Sequence, residues 1–170
     1  MNLTNYVVPV LLLIWIVRRQ LMPRMVSKNT RSYVIIMIIG LILAVGGIYK
    51  RKVSFTVNGL IIMVVTLTIS AVIFGILRAF SYQLWVDDQN EIVLRRGNVV
   101  TLLLWAVSIL IHLIGDHFVP DGAALMTFYI GFSLLIQRET VFQRAKQKFP
   151  TEIQQNIAKM AEERQDKNHH

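Results

Sequence analysis

The sequence predicts an all-α membrane protein with about five transmembrane helices, a small cytoplasmic β-hairpin and an amphipathic C-terminal helix. Three observations predict this class: the composition, a set of long uncharged stretches and an uneven distribution of basic residues. Hydrophobic residues make up 54% of the 170 residues and charged residues 16%, with a mean hydropathy of +0.51. Soluble domains have about 45–50% and about 25%. Because a soluble domain of this size buries too little surface to hide so much apolar side chain, we expect lipid to cover it.

The uncharged stretches set the predicted domain organisation. A helix needs about 20 residues to cross a hydrocarbon core of about 30 Å. The stretches predict spans at 2–17, 32–49, 55–77, 97–115 and 122–137. We therefore expect a transmembrane bundle over residues 1–137 and a cytoplasmic amphipathic tail over residues 138–170.

The basic residues predict the orientation in the cell membrane. Twelve of them fall in the first loop, the third loop and the tail: Arg18, Arg19, Arg24, Lys28, Arg31, Arg78, Arg95, Arg96, Arg138, Arg144, Lys146 and Lys148. The opposite side carries three, at positions 50–52. The positive-inside rule then places the N-terminus outside and the C-terminus in the cytoplasm. Because Arg18 and Arg19 follow the first apolar stretch rather than precede it, we expect that stretch to be an uncleaved span.

Two short segments between the third and fourth spans predict a β-hairpin. Residues 81–86 and 91–96 are rich in β-branched and aromatic side chains, and residues 87–90 (DDQN) form a turn signal between them. The alternative is that the third span continues as helix to Trp85.

The tail has apolar residues at helical spacing on both sides of Pro150. Val141, Phe142, Ala145 and Phe149 share one face of a first helix, and Ile153, Ile157, Met160 and Ala161 share one face of a second. Because basic residues flank the first helix while acidic residues make the second nearly neutral, we expect the first to bind anionic lipid. The second would project and recruit a protein.

His112, Asp116 and His117 form the candidate ion or proton site. The i, i+4 spacing puts His112 and Asp116 on one helical face, and ionisable residues inside a span suggest function. The more common situation is a hydrated histidine at the membrane interface paired with Asp116.

The polar residues of the third span have two interpretations. Asn58, Thr66, Thr68 and Ser70 could line a permeation path, or they could hydrogen-bond their own helix and its neighbours. Small residues four apart, including Gly40 with Ala44, Ala71 with Gly75 and Thr127 with Gly131, favour helix packing.

The basic loops also predict contacts with anionic lipid headgroups on the cytoplasmic face. The candidate residues are Arg18, Arg19, Arg24, Arg78, Arg95 and Arg96. The alternative is that they only fix the topology. The excess of basic residues gives the chain a high pI, which can indicate nucleic-acid binding. Because the positive-inside bias already explains this excess, we expect no nucleic-acid partner.

Known catalytic signatures are absent from the sequence. It contains no phosphate-binding glycine loop, no H-E-x-x-H and no G-x-S-x-G. It also contains no cysteine, which excludes thiol chemistry and Cys-ligated metals. We expect neither enzyme activity nor a cofactor or metal.

Several arginine, glycine and tryptophan positions suggest a family. The sequence has Arg18–Arg19 after the first span, then Pro23–Arg24, Gly75-x-x-Arg78, Trp85, Asp88, Arg95–Arg96 and Trp105. These positions, within residues 7–113, resemble the CcdC-like family of small bacterial membrane proteins, whose members are mostly of unknown function.

The absence of a catalytic motif, together with the packing residues, predicts a non-enzymatic accessory or scaffold subunit. Such a subunit would have a membrane-protein partner or form a homo-oligomer. The alternative is a small transporter or channel that uses the polar face of the third span and His112.

Overall fold

The computed structural model describes residues 18, 20–51, 57–118 and 123–168. The described elements are β1 (Arg24–Met25), α1 (Arg31–Arg51), α2 (Val57–Ser81), β2 (Gln83–Asp87), β3 (Ile92–Arg96), α3 (Val99–Phe118), α4 (Ala123–Lys148) and α5 (Glu152–Asn168). Helix α4 packs against α1 and α2, α3 packs against α2, and α5 packs against β3. The predicted first span at 2–17 lies outside the described residues.

The expectation of an all-α protein with five membrane spans is wrong. Within the described residues, one helical segment, Val64–Ser81 of α2, is long and apolar enough to cross a bilayer. The apolar segments Arg31–Ile42 and Val99–Ile111 are shorter than the roughly 17–25 residues that a crossing requires. The prediction failed because an uncharged stretch shows only that charged residues are missing. It does not show where the helix begins and ends. Helix α4, for example, continues without a break from its apolar half into a strongly charged half.

The protein is also not all-α, since three strands in the described part of the chain form one antiparallel sheet. Its order is β1-β3-β2. The β2–β3 hairpin pairs Trp85 with Leu94 and Asp87 with Ile92, and the predicted DDQN turn joins the two strands. The third strand, β1, pairs Arg24 with Arg95. It was missed because two residues carry too little pattern to indicate a strand.

A compact core joins the sheet to the end of α4. It contains Val26, Ala79, Tyr82, Val93, Val141, Phe142, Ala145 and Ile153. Phe142 was predicted to face lipid, yet it is 5% exposed and lies in this core. The apolar face of the first tail helix was identified correctly, but it packs in the core under the sheet. The predicted domain boundary at residue 137 falls inside α4, which is continuous there.

Asn156 fixes α5 to the sheet. Its side chain is fully buried and satisfies three backbone groups at once. The Nδ2 group donates to the carbonyl oxygens of Val26 (2.8 Å) and Val93 (2.9 Å), and Oδ1 accepts from the Val93 N–H (2.8 Å). Because Val26 and Val93 are themselves paired through N–H···O=C at 2.9 Å, α5 is bonded to β3 and to the residue that follows β1. The second tail helix is therefore held on the sheet and does not project from it.

Glycines allow α1 and α4 to approach at backbone distance. A Cβ atom on Gly40 would overlap the backbone of Thr127 and Phe128, and one on Gly131 would lie 2.8 Å from the Met37 nitrogen. On the other side of α4, a Cβ on Gly75 would lie 2.9 Å from the Ser133 carbonyl oxygen. The predicted packing role of these small residues is confirmed at Gly40, Gly75 and Gly131.

We expect Asn156→Ala to lower the free energy of unfolding by about 2–4 kcal/mol, because it leaves buried backbone groups of Val26 and Val93 without partners. Chemical denaturation in a mild detergent measures the change. Gln155→Ala is the matched control, since Gln155 is exposed and bonds Glu91 across the surface at 2.8 Å. Equal losses for the two variants would contradict the role of Asn156.

We expect Gly40→Ala to lower the free energy of unfolding by about 1–3 kcal/mol, because the new methyl group must push α4 away. Gly46→Ala in the same helix is the control, since a Cβ there meets nothing within 4 Å. Thermal unfolding of both variants in one detergent provides the comparison. A Gly40→Ala protein as stable as Gly46→Ala would show that α1 and α4 do not pack at this distance.

Candidate functional site

The interior between α2, α3 and α4 is lined by polar side chains, which we call the polar seam. Each helix contributes three residues at spacings of three to eight, so that they share the inward face of that helix. The seam consists of Ser70, Arg78 and Ser81 on α2, Thr101, Trp105 and Ser108 on α3, and Tyr129, Ser133 and Gln137 on α4.

Arg78 is the only charged residue of the seam, and it is fully buried. It lies in the last turn of α2, one turn after Gly75. Because Gly75 has no side chain, the backbone of α4 comes close enough for Ser133 to reach Arg78. The local sequence therefore brings a guanidinium group into the bundle rather than to its edge.

The partners of Arg78 in the described part of the chain carry no negative charge. Nε donates to the Phe74 carbonyl oxygen at 3.1 Å, and Nη2 donates to Ser133 Oγ. The Cζ atom lies 3.8 Å from the centroid of the Trp105 ring, which is cation–π distance. Ser133 in turn donates to the Ala71 carbonyl oxygen at 3.0 Å. The charge is thus held by a ring, a hydroxyl and a carbonyl.

Hydroxyl groups connect the rest of the seam. The Tyr129 hydroxyl lies 3.1 Å from Ser108 Oγ and 3.5 Å from Ser70 Oγ, so it joins all three helices. At the other end, Ser81 Oγ lies 2.6 Å from Thr101 Oγ1. These bonds link α2 to α3 and α4.

Tyr82 continues the buried polar contacts to the sheet. Its hydroxyl donates to Gln20 Oε1, and the Arg95 guanidinium lies 5.1 Å from its ring centroid. Burial raises the pKa of the Tyr82 phenol above its usual value, and the charge of Arg95 opposes this rise. The phenol therefore stays neutral and acts as a hydrogen-bond donor.

Three buried polar atoms of the seam have no hydrogen-bond partner among the residues that the structure describes. They are Arg78 Nη1, Trp105 Nε1 and Gln137 Oε1, two donors and one acceptor. Such atoms are costly to bury unless something satisfies them. The arrangement can bind or orient a small polar group. Its serine, threonine and tyrosine hydroxyl groups have no histidine, lysine or carboxylate beside them among the nine seam residues to act as a base.

The predicted ion or proton site falls in the last two turns of α3. His112, Asp116 and His117 belong to that helix, but their side chains are outside the described part, so the site stays a prediction. Among the side chains that the structure describes, no group of three or more His, Cys, Asp or Glu could hold a metal.

The predicted lipid-binding arginines have different environments. Arg18 and Arg24 are exposed, whereas Arg78 is buried. Arg95 lies over Tyr82, and Arg96 Nε donates to the Leu21 carbonyl oxygen at 2.9 Å. Arg19 lies outside the described residues. Arg78 is therefore not available to headgroups, while lipid contacts of the others stay a prediction.

Sequence reasoning missed the burial of Arg78 because this residue ends an uncharged stretch, which is the usual position of an interfacial arginine. It also missed Arg138, whose Nε donates to the Ser27 carbonyl oxygen at 3.0 Å and whose Nη1 donates to the Tyr33 hydroxyl at 3.1 Å. The one sequence signal for the buried polar seam was the i, i+4 spacing of Ser133 and Gln137 in an apolar helix.

Comparisons with protein-family models, with curated proteins and with solved structures find no match to this chain. The resemblance to the CcdC-like family stays a prediction.

We expect Arg78→Met to be at least as stable as the parent protein, by up to about 3 kcal/mol, because it removes a buried charge that has no anionic partner. Ser133 keeps its bond to Ala71 in this variant. Denaturant unfolding in detergent is the measurement. Arg78→Lys is the control, and we expect it to be less stable than Arg78→Met, since lysine keeps the charge but loses the planar fork. A marked loss for Arg78→Met with a tolerated Arg78→Lys would show that the charge itself stabilises the fold.

Proposed function

We propose that this chain is a membrane-embedded, non-enzymatic accessory or scaffold subunit. The observation that carries the proposal is the distribution of side chains, with polar groups inside and large apolar groups outside. The exposed apolar residues on three helices are Ile35, Ile38, Ile39, Leu41, Ile42 and Val45 of α1, Ile61, Val64, Val65, Ile69, Ile73, Ile76, Leu77 and Phe80 of α2, and Val99, Val100, Leu103, Val107, Leu110 and Ile111 of α3.

Large apolar side chains are therefore exposed along much of α1, α2 and α3 in the described part of the chain. Soluble proteins rarely expose contiguous apolar patches of more than a few hundred Å². In a bilayer the exposed apolar side chains would contact lipid, while most polar groups of the seam bond one another inside the bundle. Lipid is therefore the environment that best fits α1, α2 and α3, with Val64–Ser81 as the crossing segment.

The charge distribution supports an orientation in the cell membrane with the sheet in the cytoplasm. Arg24, Arg95 and Arg96 lie on the sheet, and Lys146 and Lys148 lie at the end of α4 that packs on it. Positive charge is enriched on the cytoplasmic side of membrane proteins. Arg24, Arg95 and Arg96 are the residues that we expect to contact anionic lipid in this orientation.

The scaffold role is supported by the contacts that the described polar residues of α2 make within their own helix and with α4. Ser70 pairs with Tyr129, Thr68 donates to the Val64 carbonyl oxygen of its own helix at 2.8 Å, and Thr66 is exposed on the apolar side. These polar residues of α2 do not converge on one path, so their positions do not favour the transporter or channel alternative.

The bilayer part of the proposal is tested by single cysteines carrying a spin label, since the parent chain has none. In liposomes we expect Ile69→Cys to be accessible to oxygen and protected from a water-soluble nickel reagent. We expect the opposite at Gln154→Cys, on the exposed surface of α5. Ala71→Cys, which is 1% exposed, controls for burial in the protein. Contact of Ile69 with the nickel reagent would overturn the membrane placement.

The accessory role is tested by purification from native membranes in a gentle detergent. We expect a stoichiometric partner protein to co-purify. A homo-oligomer alone that conducts ions in liposomes would overturn the accessory role and favour the transporter or channel.

A further inference from the structure

A surface groove lies between the end of α4 and the first half of α5. It has a volume of about 450 Å³, within the range of binding pockets in proteins. Its lining includes Phe142 and Lys146 of α4, Ile153, Ile157 and Met160 of α5, and Lys28 from the segment before α1. We call this feature the basic groove.

The floor of the basic groove is rigid and apolar. Phe142 and Ile153 belong to the core that joins α4 to the sheet, and Asn156 bonds α5 in place beside them. Ile153, Ile157 and Met160 are four and three residues apart, so they form one stripe along α5. Ile157 is 38% exposed within this stripe. The floor is therefore a preformed apolar strip that is about 10 Å long, at 1.5 Å per helical residue.

The charges of the basic groove all have one sign. Among the side chains that the structure describes, its ionisable lining residues are Lys28 and Lys146, and none of the lining residues is a carboxylate. Both lysines are exposed at the rim. An apolar floor with a cationic rim is complementary to an amphipathic ligand that carries negative charge beside its apolar face.

The position of the groove favours a protein over a lipid. Phe142 lies nine residues after Ser133 on the continuous helix α4, so it is about 14 Å beyond the level of Arg78. The crossing segment of α2 ends three residues after Arg78. The groove is therefore displaced along α4 from the end of the crossing segment, toward the core under the sheet.

We propose that the basic groove binds an acidic amphipathic helix of a partner protein. A helix in a groove contacts it through apolar residues at i, i+3 or i+4 and i+7, which matches the stripe on α5. Glutamate or aspartate beside these residues would pair with Lys28 and Lys146. This inference rests on the proposed accessory function for the existence of a partner, and it names the chemistry by which that partner is held.

The test uses the full chain in detergent micelles and a fluorescent synthetic helix of 18 residues. The probe has leucines at i, i+3, i+4 and i+7 and glutamates on both flanks, and a matched probe carries lysines instead. We expect saturable binding of the acidic probe by fluorescence anisotropy, and none of the basic probe. We expect the Lys28→Glu, Lys146→Glu double variant to weaken binding by about tenfold or more, because two attractive rim charges become repulsive.

Two matched variants make the test specific. Lys159→Glu changes the same charge on an exposed position of α5 outside the groove lining, and we expect it to leave the affinity within about twofold. Ile157→Asp, which places a charge on the floor, should abolish binding. Failure of the acidic probe to bind, or equal losses from Lys159→Glu and the double variant, would overturn the proposal. So would lysine-dependent binding of phosphatidylglycerol vesicles without binding of the probe. None of these outcomes changes the spin-label result at Ile69, so the membrane placement is judged separately.

Discussion

The close packing of α4 against α1 and α2 is the constraint on which the rest of this structure depends. At Gly40, Gly75 and Gly131 the helices approach so closely that one added methyl group would meet backbone atoms. Small residues at helix interfaces allow two backbones to approach this closely, which increases van der Waals contact and allows hydrogen bonds between the helices. Because α4 lies this close to α2, the short side chain of Ser133 on α4 reaches Arg78 on α2.

The continuity of α4 extends this packing from the bundle to the sheet. The first half of the helix contributes Tyr129, Ser133 and Gln137 to the seam, and the second half contributes Val141, Phe142 and Ala145 to the core under the sheet. Because an α-helix of this length is stiff, α4 fixes the positions of the seam and of the core under the sheet relative to each other. Asn156 then attaches α5 to the same sheet, so that the basic groove is formed by elements that do not move independently.

The basic residues include two groups: arginines that bond inside the protein and lysines that are exposed at its surface. Arg78 and Arg138 make hydrogen bonds inside the protein, and Arg144 donates to the Ala79 carbonyl oxygen while lying 4.7 Å from the Phe80 ring centroid. Lys28, Lys146 and Lys148 are exposed. Arginine suits bonds inside the protein because its planar fork and weak hydration favour buried hydrogen bonds and ring contacts, whereas lysine stays hydrated at the surface.

The sequence by itself determined the features that depend on local spacing. It predicted the two strands of the hairpin and their turn, the apolar faces of the tail helices and the small residues at the helix interfaces, since period and residue size act within one or two turns. Tertiary structure alone decided which side chains are buried together. Arg78 and Ser133 are 55 residues apart, and Asn156 and Val26 are 130 apart. No local pattern encodes such pairs, because Arg78, Ser133 and Asn156 look like interfacial or solvent-exposed polar residues until packing brings the distant segments together.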